Sequence, residues 1–505
     1  MPQRLFNMLN TPANKFLLRT SLPSILSLSM FGLSLGISST TFAASISYQQ
    51  AEQSVLQDSY STQATQALQQ ASKLEAEAVK GLGLPRIDLN VRAYAFHNEL
   101  DVPLGALKNN LEHTLTDGVA TKIDEWQNAY PNLGDLSGLE QGIDQTIHKG
   151  VGLIPNSSQI TLEDQVIRPT ISAMMPLYTG GLTSSAKQVA NIKAKRSELN
   201  TKQQQDLQRF ELIQAYFNVQ LQKQLLASSQ YNWHAMQKHY DNALKLEQQG
   251  FISKGQRMQF EVAKNNAQRS EQASQANLKA SLFQLNNLLQ SSQITELTTP
   301  LFINSTQNQD LNTLLRSYAD QSALVQKLQM DTQLAQANVT AQNAAKKPHI
   351  FAFGEYSLDD KNNWIVGLAA QYNLFSGIDK NKNIQAAELQ RYASELMTAR
   401  TKQEIENVIY KSYSEATTAQ QSDQLLQQNI KAAQENLRIQ ELSFKEDMGT
   451  ATQVIDAQNM LSALKAETAL NAYKYVMSLA TLLQSHGSIH QFQTYLLQPN
   501  TRFIR

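Results

Sequence analysis

Few residues in this chain have types and spacings that could do chemistry, and none forms a complete set. Gly181-Leu182-Thr183-Ser184-Ser185-Ala186-Lys187 begins like a phosphate-binding loop. It lacks the second glycine before lysine that lets backbone amides close on phosphate. His486 and His490 are spaced to share a helix face, but Gly487 lies between them and no H-E-x-x-H pattern is present. Asp359-Asp360 is a carboxylate pair in a turn, with no base or nucleophile assigned near it. The chain has no cysteine, which removes disulfides, thiolate metal sites, a cysteine nucleophile and the acceptor of an N-terminal lipid together. No catalytic residue, metal or cofactor is expected, and the energy for any transport has to come from a partner.

The elements carry more information than these residues do. In 505 residues there are only 20 Gly and 12 Pro, so elements should be few and long. Hydrophobic content is 41% and no stretch after the N-terminal region reaches the ~20 apolar residues of a spanning helix. Formal net charge is zero and there is no basic block, which argues against nucleic acid as a partner. At the N-terminus, Arg4, Lys15 and Arg19 precede the apolar run Leu22 to Ile37, and Thr41-Phe42-Ala43 puts small residues at a cleavage site. This predicts a signal peptide over 1–43, cut after Ala43, and an exported protein; a retained anchor would need a longer run.

An internal repeat organises the rest. An offset of 197 positions pairs Leu177-Tyr178-Thr179-Gly180 with Leu374-Phe375-Ser376-Gly377, Tyr216 with Tyr413, and Glu198-Leu199 with Glu395-Leu396. The first repeat is expected over 44–290 and the second over 311–485, with a linker at 291–310 and a tail at 486–505. Each opens on an Ala/Gln/Leu helical run, about Ser45 to Lys80 and Leu311 to Lys346, ended before Pro85 or Pro348. The period then changes to two. Ile87, Leu89, Val91, Ala93 and Ala95 alternate with polar residues, and Trp364, Val366, Leu368, Ala370, Tyr372 and Leu374 line one side of a strand whose opposite side includes Gly367, Gln371 and Asn373. Such a ten-residue strand fits a transmembrane barrel, with Trp364 and Tyr372 as interface residues, or one half-buried strand of a soluble sheet.

The second hairpin closes through Leu358 to Asn363. The first holds about 65 extra residues between Phe96 and a return strand near Val166 to Tyr178. Leu107, Leu111, Leu115, Val119, Ile123, Trp126 and Tyr130 predict an amphipathic helix there, and Leu136, Leu139, Ile143 and Ile147 a shorter one. The insert, about 97–165, has eleven acidic residues against Lys108, Lys122 and Lys149, which makes a binding surface or simply a solvated face. Two helices of roughly 70 residues follow the strands, each about 100 Å long, with apolar stripes suited to lateral coiled-coil packing. Shorter return helices, Gln256 to about Leu289 and Thr452 to about Leu483, complete each repeat.

The duplicated helix-strand-strand-helix-helix order, Pro85-Arg86-Ile87 and Pro348-His349-Ile350, the Leu-aromatic-x-Gly strand ends and the tip Met448-Gly449-Thr450-Ala451-Thr452-Gln453-Val454-Ile455-Asp456-Ala457-Gln458 resemble the TolC family of outer-membrane efflux and secretion channels. That resemblance covers nearly the whole mature chain. It implies a mainly α fold with transmembrane β: a homotrimer with a twelve-stranded barrel in outer-membrane lipid above a periplasmic α-helical coiled-coil tunnel. The helical insert departs from the family's short loop. Closure supports three copies independently, since four strands leave open edges that lipid does not tolerate, and twelve enclose a lumen.

What the resemblance implies for function is a passive exit duct that docks to a periplasmic adaptor and an inner-membrane transporter. Its cargo is either small toxic compounds or a secreted polypeptide. A structural coiled-coil protein without a pore is the rival from another class. Gly250, Phe251, Ile252 and Ser253 in the first tip, and Asp447, Met448, Gly449 and Thr450 in the second, match the family's adaptor-docking turns. Local packing would equally explain the apolar pair Phe251 and Ile252. Gln453 and Asp456 match the positions of the family's gate carboxylates, so one of the two usual acids is absent here. Asp456 also suits the start of a helix through the helix dipole.

Overall fold

A computed structural model describes residues 44–505 except 131–134, 292–293, 306–308, 360–361, 376, 447 and 505. The expected signal peptide and Asp447 lie outside the described residues. After a short strand β1 (Ala44–Ile46) come helices α1 (Tyr48–Asp58) and α2 (Tyr60–Ala78). Strand β2 (Arg86–Pro103), helices α3 (Gly105–Ala129) and α4 (Ser137–Gly152), and strand β3 (Ser157–Tyr178) form the first hairpin with its insert. Helices α5 (Leu182–Gln248) and α6 (Lys254–Leu288) follow, then strands β4 (Ile294–Leu297) and β5 (Leu301–Asn304). The same order returns as α7 (Leu311–Gln321), α8 (Ala323–Ala344), β6 (His349–Ser357), β7 (Trp364–Gln371), α9 (Lys380–Lys445) and α10 (Ala451–His486), before α11 (Phe492–Leu496) and β8 (Thr501–Ile504).

Three expectations are corrected. The opening helical run of each repeat is two helices, because Ser59 and Ser322 take extended backbone at ψ 129 and 114. The apolar periodicity passes through both breaks, so it does not reveal them. Strand β7 ends at Gln371, which leaves Tyr372 and Leu374 beyond it. The strands of the first hairpin also outrun their expected ends at Phe96 and Val166: β2 and β3 stay paired from Arg86–Met174 out to Pro103–Ser157. Backbone pairing does not need the apolar alternation that fades at His97-Asn98-Glu99.

The packed centre lies midway along the long helices. Tyr48 of α1, Tyr216 and Phe217 of α5, Phe302 of β5, Tyr475 of α10 and Phe492 of α11 are buried together, with neighbouring ring centroids 5.3–6.0 Å apart. Edge-to-face contacts of this kind add to the area they bury. Two small sheets frame them: β1 pairs β4 in parallel, and β5 pairs β8 antiparallel. Buried Asn304 is fully used. Its two amide N–H groups are shared among three acceptors, the Tyr495 carbonyl, Gln498 Oε1 and Thr501 Oγ1, and its oxygen accepts from the Tyr475 hydroxyl at 2.8 Å. Arg209 ties α5 to Glu52 of α1 at 2.9 Å.

Gly487 ends α10 at φ +88 and lies against the backbone of Gln321 and Ser322, where a Cβ would collide. The C-terminus of α10 is thereby seated on the break between α7 and α8.

Candidate functional site

The strands β2, β3, β6 and β7 form one antiparallel sheet in that order. Facing residues of an antiparallel pair share a side of the sheet, so the register sorts the side chains. One side carries Ile87, Leu89 and Val91 of β2, then Ala173, Ile171 and Pro169 of β3. It continues across Ala352, Gly354 and Tyr356 of β6 to Leu368, Val366 and Trp364 of β7. Every residue on it is apolar or aromatic, and Trp364, Val366 and Leu368 are each more than 70% exposed. The other side carries Asp88, Asn90, Ser172, Thr170 and Glu355, and Asn90 Nδ2 donates to Ser172 Oγ at 2.8 Å. That side also pairs Gly367 with the ring of Phe353.

Of the expected interface residues, Trp364 faces Tyr356 at one end of the apolar side, while Tyr372 follows the last residue of β7. Among the described residues no helix is long and apolar enough to cross a membrane.

At the far ends of α5 and α9, about 100 Å away at 1.5 Å per residue, are the two helix tips. The first closes as a Schellman turn. Gly250 takes φ +80, its N–H donates to the Glu247 carbonyl, and the Phe251 N–H donates to the Leu246 carbonyl at 2.9 Å. Arg257 at the start of α6 pairs with Glu247 at the end of α5, at 2.8 Å. In the second tip the Met448 N–H makes the corresponding bond to the Ser443 carbonyl at 2.8 Å. Gly449 lies so close to Ser443 and Phe444 that a Cβ would sit 3.1 Å from both.

Both return helices begin with capping boxes. Ser253 and Gln256 start α6, and Thr450 and Gln453 start α10, each pair satisfying backbone N–H groups reciprocally. Gln453 Oε1 accepts from the Thr450 N–H at 2.7 Å. The side chain at this gate position therefore has a capping task, which the matching serine and threonine motifs in the two tips could have signalled.

The tips divide the expected docking residues. Ile252 packs with Phe444 and Ile455 against the buried cluster of Ala243, Phe260, Ala451 and Val454. Phe251 is 68% exposed and Met448 78%. Gln453 and Asp456 fall together on the exposed side of α10, opposite Val454, Ala457 and Leu461. Beside them a groove of about 620 Å³ runs between α6 and α10, lined by Met258, Val262, Thr452, Ile455 and Asn459 among others.

His239 of α5 sits 3.6 Å from Glu441 of α9 and beside the Phe260 ring. Burial pushes its pKa down, and Glu441 only partly opposes this. His486 is held between Ser317 Oγ and Ser488 Oγ, each at 2.9 Å, and burial lowers its pKa too. His490 lies in the short turn after α10, so the two histidines do not share a helix face.

A four-stranded sheet with one apolar side, joined to helices that end in matching tips, is the fold of the TolC-like outer-membrane channels. Residues 314–488 match the family model described as outer membrane efflux protein. Among solved structures, CusC, whose description concerns folding and transmembrane channel formation, is 14% identical. It superposes with a TM-score of 0.68 over 88% of this chain and 93% of that one. The outer membrane protein VceC from Vibrio cholerae is 12% identical with a TM-score of 0.66, over 87% and 96%. The open state of the Neisseria gonorrhoeae MtrE outer membrane channel is 15% identical with a TM-score of 0.65, over 88% and 89%. No curated protein sequence matches the chain.

Proposed function

We propose that three copies of this chain close a twelve-stranded barrel in the outer membrane and continue below it as a helical tunnel. That duct is the passive exit of a tripartite efflux pump. The observation that carries this reading is the sheet register: one side is apolar across all four strands, the polar residues Asp88, Asn90, Thr170, Ser172 and Glu355 collect on the other, and β2 and β7 are the two free edges. An apolar outer side and a polar inner side are what a lipid-embedded, water-filled barrel needs, and pairing β2 of one copy with β7 of the next removes every edge. Native mass measurement of the mature protein in detergent tests it. A particle of three chains is expected, and a stable monomer in a bilayer-like environment would overturn the barrel.

In this reading the tips face the periplasm. Exposed Phe251 and Met448, with the turn residues Gly250, Ser253, Asp447, Gly449 and Thr450, dock a periplasmic adaptor that links the duct to an inner-membrane transporter. Ile252 supports the turn from inside. Asp456 supplies one ring of three carboxylates at the tunnel constriction, where fixed charge in a narrow, weakly screened space favours cations. Gln453 caps α10 beside it.

A further inference from the structure

We propose that the helical inserts of three copies pack against one another outside the membrane, as a homotypic cap on the barrel. The inference rests on the trimer reading above. Strand β6 reaches β3 only as far as Thr170, whereas β2 and β3 run on together for thirteen further pairs, from Val91–Pro169 to Pro103–Ser157. At about 3.3 Å per residue this ribbon carries α3 and α4 some 40 Å past the shared sheet. Ile123 and Val151 are buried between the two helices. That contact uses only one side of α3. Leu107, Leu111, Leu115 and Trp126 fall within about 100° of a different side, and all four are exposed, from 41 to 63%.

Charge placement says what covers this stripe. Three identical helices meeting at an axis cannot bring unpaired like charges together without repulsion. The flank of the stripe away from α4 is uncharged, formed by Asn110, Thr114 and Thr121; of the charges within the stripe, Lys122 and Glu125 pair with each other at 2.6 Å, and Lys108, at its α4 edge, donates from Nζ to Asn156 Oδ1 at 3.3 Å. Asp124 lies on the opposite side, and Asp117 lies just outside the flank, beyond Asn110. A lipid surface is a poor occupant, because the insert has eleven acidic residues against three lysines and a negatively charged outer leaflet would repel it. The stripe is also continuous with the chain's free edge, since β2 carries that edge and leads through Leu104 directly into α3. The strand at the copy-to-copy seam thus delivers the stripe to the neighbouring copies.

The absence of native cysteine makes the test direct. Leu111→Cys and, as a control, Asp124→Cys are made in the full mature protein, purified in detergent, and oxidised or treated with a short bismaleimide. On a denaturing gel the Leu111→Cys chain should shift largely to a covalent dimer, and the Asp124→Cys chain should stay monomeric. Native mass on the same samples separates the two levels of the argument. A three-chain particle whose Leu111→Cys thiols are freely labelled by a bulky maleimide and do not cross-link overturns the cap and leaves the barrel standing. A single-chain particle overturns both. Equal cross-linking from the two positions would mean random collision and also refutes the cap.

Discussion

Phe251 and Met448 occupy the same position of two matching turns, 197 residues apart, each donating its N–H back to a carbonyl five residues earlier. Both side chains point out of the tips with most of their surface bare. Neither is needed to close its turn, so replacing either with Asp should abolish transport while trimer and surface level stay unchanged. Ile252→Asp should behave differently, since Ile252 packs on the tip cluster and its loss loosens the tip itself. Drug-sensitivity assays with parallel trimer quantification check this. Transport that survives Phe251→Asp together with Met448→Asp would remove the tips from docking.

The register of the sheet separates two substitutions three residues apart on β7. Leu368→Arg, on the apolar side near the middle of β7, should cost about 2–4 kcal/mol of barrel stability. Ile365→Arg, on the polar side facing Glu355, should cost far less. Denaturant titration of liposome-inserted protein compares them, and equal costs would mean that the apolar side is not in lipid.

At the second tip, Asp456→Asn should weaken block by divalent cations and lower cation selectivity without lowering thermal stability. A structural Asp456 would do the reverse, because a carboxylate early in a helix contributes about 0.3–1 kcal/mol through the dipole. Gln453→Asp keeps an acceptor at the third position of α10 and adds a second ring of charge, so divalent block should strengthen. Gln453→Ala removes the cap's return bond to the Thr450 N–H and should lower tip stability, with block unchanged. Recordings in which Gln453→Asp leaves divalent block unaltered would place this face away from the lumen.

Burial of His239 and His486 makes stability depend on pH in a fixed direction. Both hold a proton less readily folded than unfolded, where the ordinary value is 6.5. Between that value and the lowered one the unfolded chain binds more protons, so stability rises with pH and is lost as pH falls through and below 6.5. Thermal unfolding should therefore occur at lower temperature at pH 5 than at pH 8, and the difference should shrink in the His239→Gln, His486→Gln double variant. An unchanged difference in that variant would acquit both rings.

Much of this architecture was legible because it is written twice. A constant offset and strand alternation located the sheet, the long helices and both tips, and the structure has α9 following β7 as α5 follows β3. What escaped was set by contacts distant in sequence or by backbone alone. Asn304 is a hub only because Tyr475, Tyr495 and Thr501 fold back onto it from more than 170 residues away. Ser59 and Ser322 break their helices without breaking the apolar pattern, and their only signal was a lone serine recurring at the same place in both repeats. The ribbon past Phe96 pairs through its backbone, so side-chain alternation could not mark its end. At the tip, Phe251 and Ile252 looked alike as apolar neighbours, and only packing shows that one is inside and the other out.

The central claim is a pore closed by copies of this one chain. Single-channel recording of the purified mature protein in a planar bilayer tests it most directly. Discrete, cation-selective conductance steps are predicted, with selectivity reduced by Asp456→Asn and the steps lost with Leu368→Arg. A protein that inserts or binds without any steps, while remaining folded and helical, would contradict the channel and leave a pore-free coiled-coil protein in its place.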